Sequence, residues 1–491
     1  MYLLGVDLGT TGCKSILFNQ NAEIISEAYI EYPLIRTEEG WIEQDADLWW
    51  RLVKDVVREA ILNSGVDSKG IIALSISSQG ISFVPVDKDG KTLCNAISWL
   101  DMRADKQKVF MEENIGTEEI FKRTGKRLNA AYSLPKIMWI KENLPEIYNK
   151  TWKMLMGLDF LTYRLTGIAV TDHSMAGGTM AYNIIHKNWD DKILEKCGID
   201  KAMLPELAYV GHAVGKILPE AAEEMGLSTG TLVVLGAQDQ KCAAMGAGIK
   251  KGVCTVSLGT ASAISSISTE PSFDSEMRIP CFTLDEERWI LEAVIGTAGV
   301  SLKWMKNSLF KEKSYPEIDK AVGSVSPGSG GIFFYPHLEG ATSPYWKPEA
   351  RGFIYGLNIS TSSDELLRAL YEGIAYQIRA NIEVMEQFSP KIEEIRVFGG
   401  GSKSDVWCGI IADITGIPVS VLYTSETANL GAAVIAGIGC GIYKDYDNVL
   451  SRIKLVEKTY TPDKSNMKTY SEYYGRDCRI QKKILSSDNE F

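Results

Sequence analysis

Three short segments combine glycine with hydroxyl side chains, and each is a candidate for binding a phosphate or a nucleotide base. In the first, residues 7–14, the turn consists of Gly9, Thr10, Thr11 and Gly12. A tight turn of this composition exposes backbone N–H groups and hydroxyls that bind phosphate oxygens. Asp7 could hold a divalent cation, and Lys14 could meet a terminal phosphate. The alternative is an ordinary hairpin whose threonines cap their own backbone.

The second and third segments lie in the other half of the chain. The tripeptide Leu-Gly-Thr at 8–10 recurs at 258–260, where Gly259 and Thr260 again follow an apolar run. Two such hairpins could hold a polyphosphate from opposite sides of a cleft. The third segment, 399–402, has three glycines in a row, so a planar ring such as adenine could lie on the backbone at Gly400 and Gly401. The alternative there is a strand-to-helix turn without a ligand.

Two further sets of residues could handle a hydroxyl acceptor. Asp239 follows the apolar run 233–237, and a carboxylate at a strand end could act as a general base. The residues alone favour the alternative, a helix cap for the segment that follows. Trp99, Asp101 and Arg103 offer an aromatic face and paired charges, which suit the recognition of a sugar. The alternative for this cluster is a surface ion pair.

The elements that would position these residues follow an α/β pattern. Strands are predicted at 2–7, 14–18, 71–77, 232–235, 253–258 and 395–398, and helices at 47–62, 363–388 and 428–438. Strands interleaved with helices indicate an α/β sheet. The strand–glycine–threonine pattern, repeated about half a chain apart, indicates a duplicated domain. We place the boundary in the glycine- and lysine-rich stretch 245–252, which gives domains 1–247 and 248–491.

Composition excludes several classes of protein. The 491 residues are 45% hydrophobic and 23% charged, which is an ordinary globular composition. The net charge of −11, without a lysine- or arginine-dense run, argues against nucleic-acid and membrane partners. No apolar run reaches the ~20 residues that span a bilayer. Nine scattered cysteines without a Cys-x-x-Cys motif argue against disulfides and zinc sites, so we expect a cytoplasmic protein.

The order of the motifs resembles that of the FGGY carbohydrate kinases, which share a wider fold with heat-shock ATPases and actin. The resemblance covers most of the chain, and it rests on segments 5–11, 41–45, 98–103, 133–143, 239–240, 257–260, 352–357 and 399–402. It implies two ribonuclease H-like α/β domains of the actin/hexokinase ATPase type around a central cleft.

The resemblance also implies a role for each candidate residue. Asp7 would lie near Mg²⁺, and Asp239 would take the proton from the sugar hydroxyl, which replaces the cap interpretation. The nucleotide would contact Gly9, Thr10, Thr11, Gly12, Lys14, Gly259, Thr260, Gly400, Gly401 and Asp405. The substrate would contact Gln79, Trp99, Asp101, Arg103, Asp239 and Gln240.

The implied activity is transfer of the γ-phosphoryl group of ATP, with Mg²⁺, to a hydroxyl of a small sugar. The pattern is most similar to xylulokinases, which act on a ketopentose. However, Gly80 and Ile81 stand where that group has Met-His, and Asp239-Gln240 is more like glycerol kinases. A glycerol or other polyol kinase is therefore the alternative, followed by a non-kinase ATPase of the same fold. The resemblance also suggests a homodimer.

Overall fold

The computed structural model describes residues 1–486, which fold around two mixed β-sheets. The strands of the first half are β1 Tyr2–Leu8, β2 Gly12–Asn19, β3 Ile24–Glu31, β4 Ile35–Arg36, β5 Ile42–Gln44, β6 Ile71–Ser78, β7 Phe83–Val86, β8 Ala96–Ile97, β9 Lys153–Met156, β10 Val170–Asp172, β11 Tyr182–Asn183, β12 Asn188–Trp189, β13 Glu206–Ala208, β14 Ala213–Lys216 and β15 Leu232–Gln238. Its helices are α1 Ala46–Ser64, α2 Asp105–Asn114, α3 Thr117–Thr124, α4 Ser133–Asn143, α5 Pro145–Lys150, α6 Gly157–Thr166, α7 His173–Gly177, α8 Asp191–Cys197, α9 Pro219–Met225 and α10 Asp239–Gly246.

The second half continues with fewer strands and longer helices. Its strands are β16 Val253–Ser257, β17 Ser262–Ser268, β18 Cys281–Thr283, β19 Trp289–Ile295, β20 Phe333–Tyr335, β21 Phe353–Tyr355, β22 Glu394–Phe398, β23 Val419–Leu422 and β24 Val456–Tyr460. Its helices are α11 Gly299–Leu309, α12 Tyr315–Ser324, α13 Ser363–Met385, α14 Asp405–Thr415, α15 Thr427–Gly439, α16 Tyr446–Arg452 and α17 Lys464–Ser486. Short 3₁₀ turns occupy Ser68–Gly70, Lys201–Met203, Ser329–Gly331 and Gly400–Lys403.

The two large sheets share one plan. In the first, the strand order is β14-β15-β6-β1-β2-β3, with β1, β2 and β3 antiparallel and with β6 and β15 parallel to β1. In the second, the order is β18-β19-β17-β16-β22-β23-β24, with β16, β17 and β19 antiparallel and with β22 and β23 parallel to β16. This repetition confirms the predicted duplication and the two-domain α/β fold. The boundary at 247/248 stays a prediction.

Local sequence signals account for the helices that the sequence predicted. The Asp45 side chain accepts a hydrogen bond from the backbone N–H of Leu48 at 3.0 Å, which caps α1. The helix ends at Gly65, whose φ of 65° is favourable for glycine. Apolar residues at helical spacing, including Trp49 and Val53, are buried against the first sheet. Helix α13 begins with a capping box formed by Ser362 and Glu365 but ends earlier than predicted.

Helices α10 and α15 join the two halves, and glycine allows their close approach. A side chain at Gly246 would place its Cβ 1.9 Å from the carbonyl oxygen of Thr427, and one at Gly431 would lie 1.9 Å from that of Cys242. Although α15 belongs to the second half, Asn429 on it donates to the backbone carbonyl of Gly5 in β1 at 3.0 Å. Helix α15 therefore packs against both α10 and the first sheet. Within residues 1–486, no helix is both long and apolar enough to cross a lipid bilayer.

Candidate active site

Two cavities share a wall at the junction of the halves. The smaller has a volume of about 300 Å³, and its lining includes Thr10 and Asp239 from the first half and Ser262 from the second. The larger has a volume of about 680 Å³, and its lining includes Gly259 and Gly400. Residues 257 and 261–263 line the smaller cavity, whereas 258–260 line the larger one. The hairpin between β16 and β17 therefore separates the two.

Asp239 is the first residue of α10, directly after the end of β15. Its Oδ1 atom accepts hydrogen bonds from the backbone N–H of Gln240, at 2.7 Å, and from the side-chain amide of Gln238. Burial and the negative charge of Asp7 raise the pKa of Asp239 to about 7. A carboxyl group with this pKa suits general-base chemistry at neutral pH. Gln238, not Asp239, occupies the N-cap position, so the cap interpretation is wrong.

Asp7 lies on β1, where its neighbours across the sheet are Lys14 on β2 and Ser77 on β6. The Ser77 hydroxyl donates to Oδ1 of Asp7 at 2.6 Å. Burial nevertheless raises the pKa of Asp7 to about 6. Asp7 and Asp239 thus form a pair of carboxyl groups whose ionisation the protein opposes, and a divalent cation would relieve this. Among the residues described, no group of three or more His, Cys, Asp or Glu side chains could hold a metal ion.

The first glycine–threonine hairpin contributes to the smaller cavity through one residue. The backbone N–H of Gly9 donates to the carbonyl of Gly12 at 2.9 Å, which closes the turn. The indole N–H of Trp99 donates to Oγ1 of Thr10 at 2.9 Å, and both of these residues line the cavity. Gly9, Thr11 and Gly12 belong to the same turn but do not line either cavity.

Two predicted contact residues are engaged elsewhere. The ammonium of Lys14 lies 2.9 Å from a carboxylate oxygen of Glu426 and 3.2 Å from one of Glu27. Gln79 is buried, and its amide donates to Oε1 of Gln44 at 3.0 Å. Neither Lys14 nor Gln79 lines either of these two cavities. Both side chains are engaged with these partners here, and their roles as phosphate and substrate contacts stay predictions.

Asp101 and Arg103 form a buried ion pair behind the cavity wall. The guanidinium donates to both carboxylate oxygens of Asp101, at 2.8 and 2.9 Å, and to Glu43 at 2.9 Å. It also lies over the rings of Trp41 and Trp139, 4.3 and 5.0 Å from their centroids. Burial opposes ionisation of Asp101, but hydrogen bonds from Arg103 hold its pKa below the usual value. Of the predicted sugar cluster, only Trp99 lines the cavity, and Asp101 and Arg103 do not.

The larger cavity brings together the second hairpin and the glycine triplet. Gly259, Thr260, Gly400 and Gly401 all line it. The backbone N–H of Gly401 donates to the carbonyl of Leu258 at 2.8 Å, which fixes the two loops to each other. A Cβ at Gly400 would meet no other atom within 4 Å. The backbone there is open toward the cavity, as a platform for a planar ring requires.

Asp405 does not line the larger cavity, and another carboxylate does. The side chain of Asp405 is exposed and accepts hydrogen bonds from Lys458, at 2.7 Å, and from the hydroxyl of Tyr460. Asp319 on α12 lines the cavity instead. Its Oδ1 atom accepts from the hydroxyl of Tyr371 at 2.7 Å, and Ser404 donates to the same oxygen at 2.8 Å. Asp319 was not predicted, because nothing near it in the sequence marks a site.

Sequence reasoning also missed most of the smaller cavity. Its unpredicted lining includes Tyr132, Ser174, Lys241, Phe282 and Glu292. These residues come from a loop, two helices and two strands in different parts of the chain, so no local motif connects them. One signal was available for one of them: Glu292 is a charged residue inside an otherwise apolar segment, and buried charges require a partner or a function.

Two polar atoms of the smaller cavity have no hydrogen-bond partner among the residues described. They are Oε1 of Gln238 and Oγ of Ser262. Since buried polar groups are almost always hydrogen-bonded, these atoms are suited to a ligand that carries hydroxyl groups. The cavity thus combines a carboxyl group near neutrality with unpaired polar atoms, next to a glycine-walled cavity of nucleotide size. This arrangement can move a proton from a bound hydroxyl while a neighbouring phosphate is held.

The comparisons with known proteins agree with this geometry. The model of the FGGY family of carbohydrate kinases, N-terminal domain, matches residues 2–246, and that of the C-terminal domain matches 254–440. The chain is 30% identical to a xylulose kinase from Bacillus subtilis, over 96% of this chain and 95% of that protein.

It is also 33% identical to glycerol kinase 2 from Thermotoga maritima, over 92% of each chain. The crystal structure of a gluconate kinase from Lactobacillus acidophilus superposes with a TM-score of 0.93 at 27% identity, covering 99% of this chain and 98% of that one. Both family models fit, and the relatives match along nearly their whole length. The chain belongs to the FGGY family of carbohydrate kinases.

Proposed function

We propose that this carbohydrate kinase transfers the γ-phosphoryl group of ATP to a hydroxyl of a small neutral sugar, a ketopentose such as xylulose. The observation that carries the proposal is the shared wall, residues 257–263, between the cavity with Asp239 and the cavity with Gly400 and Gly401. A volume of about 300 Å³ is at the small end of the ~300–1,000 Å³ typical of ligand sites. The 30% identity to a xylulose kinase supports the ketopentose.

The proposed reaction uses the residues as follows. Asp239 accepts the proton of the acceptor hydroxyl, whose oxygen forms a bond to the γ-phosphorus as the bond from that phosphorus to the bridging oxygen of ADP breaks. The hairpin between β16 and β17 holds the phosphates, and the backbone at Gly400 and Gly401 supports the base. Such transfers depend mainly on positioning and charge neutralisation. Asp239 then returns its proton to solvent.

Mg²⁺ fits the residues around Asp7. This metal is usually held by one or two carboxylates together with water and substrate phosphates, and Asp7 would supply one such carboxylate. When bound, the ion would neutralise charge on the phosphates. The proposal also keeps Lys14 as a phosphate contact in the nucleotide complex, which would require it to leave Glu426.

A glycerol or other polyol kinase is the second candidate. Asp239 is followed by Gln240, and both line the cavity. The 33% identity to a glycerol kinase supports this candidate. Glycerol and ketopentoses share the hydroxyl chemistry that the cavity offers, so direct measurement of the acceptor must decide. A homodimer and a cytoplasmic location stay predictions.

A coupled assay of ADP release, run over ketopentoses, ketohexoses, polyols, glycerol and gluconate, tests the proposal. We expect one ketopentose to give the highest kcat/KM and Asp239→Asn to abolish the signal. A highest value for glycerol would establish the second candidate. ADP release that no acceptor stimulates, and that Asp239→Asn leaves unchanged, would exclude both.

A further inference from the structure

A buried ion pair crosses the junction of the halves at the wall of the acceptor cavity. Lys241 lies on α10, two residues after Asp239, and Glu292 lies on β19 of the second sheet. The ammonium of Lys241 donates to both carboxylate oxygens of Glu292 at 2.9 Å. The Lys241 side chain is 0% exposed and that of Glu292 is 9% exposed, and both residues line the cavity.

Lys241 and Glu292 differ in how many further hydrogen bonds each can form. An ammonium has three N–H donors and no acceptor, whereas an ionised carboxylate can accept about four hydrogen bonds. Two donors of Lys241 are used by Glu292, and its nitrogen lies 3.4 Å from the centroid of the Phe282 ring. Lys241 is therefore saturated by its surroundings. Each oxygen of Glu292 keeps a lone pair for a donor in the cavity.

The charges around the cavity favour an acceptor without a negative group. Asp239 and Glu292 bring two carboxyl groups to the lining, and Lys241 is the one lysine or arginine among the lining residues described. Lys126 does not line the cavity. Its ammonium lies 4.0 Å from the Phe282 ring centroid and donates to the carbonyls of Thr124 and Cys281.

We propose that Glu292 is a specificity-determining residue that accepts a hydrogen bond from an acceptor hydroxyl, and that the Glu292–Lys241 pair excludes acceptors bearing a carboxylate. A carboxylate in the cavity would lie beside the carboxyl groups of Asp239 and Glu292, while Lys241, the one lysine or arginine among the lining residues described, is already paired; such repulsion is an effective means of discrimination. The inference rests on the proposed function and narrows it, because it separates neutral sugars and polyols from aldonates. A gluconate kinase is among the structural relatives, so the distinction is a real choice within this fold.

The main experiment compares the wild type with Glu292→Gln and with a control, Glu287→Gln, at an exposed position before β19. We measure kcat/KM for the best neutral acceptor and for gluconate. The wild type should strongly prefer the neutral acceptor. Glu292→Gln removes the negative charge, so the ratio of neutral to gluconate kcat/KM should fall by at least about tenfold, the scale of a hydrogen bond to a charged group. Glu287→Gln should keep the wild-type ratio. A wild-type preference for gluconate, or a shift under about threefold in Glu292→Gln, would overturn the proposal.

A second variant covers the possibility that Glu292→Gln does not fold. The double variant Lys241→Met, Glu292→Leu removes both charges, a replacement that proteins often tolerate. It should bind the neutral acceptor at least about tenfold more weakly than the wild type, while its rejection of gluconate should lessen. Unchanged affinity for the neutral acceptor would refute the role of Glu292.

Binding separates this inference from the proposed function. Gluconate should raise the Tm of Glu292→Gln but not that of the wild type, whether or not either protein turns over. If no sugar is phosphorylated but this difference in Tm appears, the proposed function fails and the inference about charge stands. If a neutral sugar is phosphorylated and gluconate shifts neither protein or shifts both equally, the inference fails alone.

Discussion

Replacing Asp239 with asparagine should remove the base and leave nucleotide binding in place. The side chains have nearly the same shape, and the amide keeps an oxygen that can accept from the backbone N–H of Gln240, which lies 2.7 Å from Oδ1 in the wild type. General-base catalysis contributes ~10²–10⁴-fold, which corresponds to about 3–5 kcal/mol of transition-state free energy. We therefore expect kcat to fall at least about 100-fold, with the Kd for ATP within about threefold of the wild type, because the glycine-walled cavity is untouched.

The pH dependence of kcat/KM is a second, independent test of Asp239 as the base. The pKa of Asp239 is about 7, so about 10% of the free enzyme is ionised one unit below the pKa and about 90% one unit above it. The wild-type kcat/KM should therefore rise close to tenfold between pH 6 and pH 8. Asparagine does not titrate, so Asp239→Asn should lose this rise.

The wild-type free energy of unfolding should fall as the pH rises, whereas kcat/KM should increase. Because the folded pKa lies above the ordinary value of 3.8, the folded state binds the proton more tightly than the unfolded state. The contribution of the Asp239 carboxyl to stability is fully present below pH 3.8 and is lost as the pH rises through about 7. Asp239→Asn should thus gain stability relative to the wild type as the pH increases from 5 to 8, measured by urea unfolding.

The assay is stopped-flow or coupled detection of ADP with saturating acceptor, together with calorimetry for ATP. Asp89→Asn, at an exposed position in the turn after β7, controls for loss of one charge. Turnover of Asp239→Asn within about threefold of the wild type would remove Asp239 from the role of base, since a real base should give a far larger effect. A pH profile that keeps its tenfold rise in the variant would assign the titration to another group.

Three further perturbations test the architecture. Gly400→Val should weaken ATP binding at least about tenfold by calorimetry while sparing sugar binding, because its side chain would point into open cavity space. The control Gly409→Val, which also meets no neighbour within 4 Å but lies outside the cavity, should bind ATP as the wild type does. Equal ATP affinity in the two variants would contradict the adenine assignment. Arg103→Met should lower the free energy of unfolding by about 3–5 kcal/mol, because Asp101 would be left buried without its cation; a loss under 1 kcal/mol in urea titration would contradict this. Gly431→Ala should destabilise by ~1–3 kcal/mol or more and reduce kcat, since its Cβ would fall 1.9 Å from a carbonyl of α10, and an unchanged Tm would show that the two helices separate freely.

Local patterns in the sequence determined the elements and much of the nucleotide site. Apolar runs and helical spacing predicted β1, β6, β15, β16 and β22, because burial against a sheet needs continuous apolar residues. The recurrence of Leu-Gly-Thr predicted the duplication, and the strand order of the two sheets confirms it. Gly259, Thr260, Gly400 and Gly401 were predicted from motifs and line one cavity. Each of these signals is contained in a few neighbouring residues.

Tertiary structure decided what the side chains do. Asp405 is the first residue of α14, and Asp319 lies within α12. Only Asp319 reaches the larger cavity, because Lys458 and Tyr460 hold Asp405 on the surface. Arg103 turns inward to Asp101, and Glu292 meets Lys241 from a strand 51 residues away. The Glu292–Lys241 pair depends on how the two halves pack against each other, and the contacts of Asp405 depend on packing within the second half. A local motif specifies the backbone of a loop, but the partner that fixes a charge is chosen by the fold.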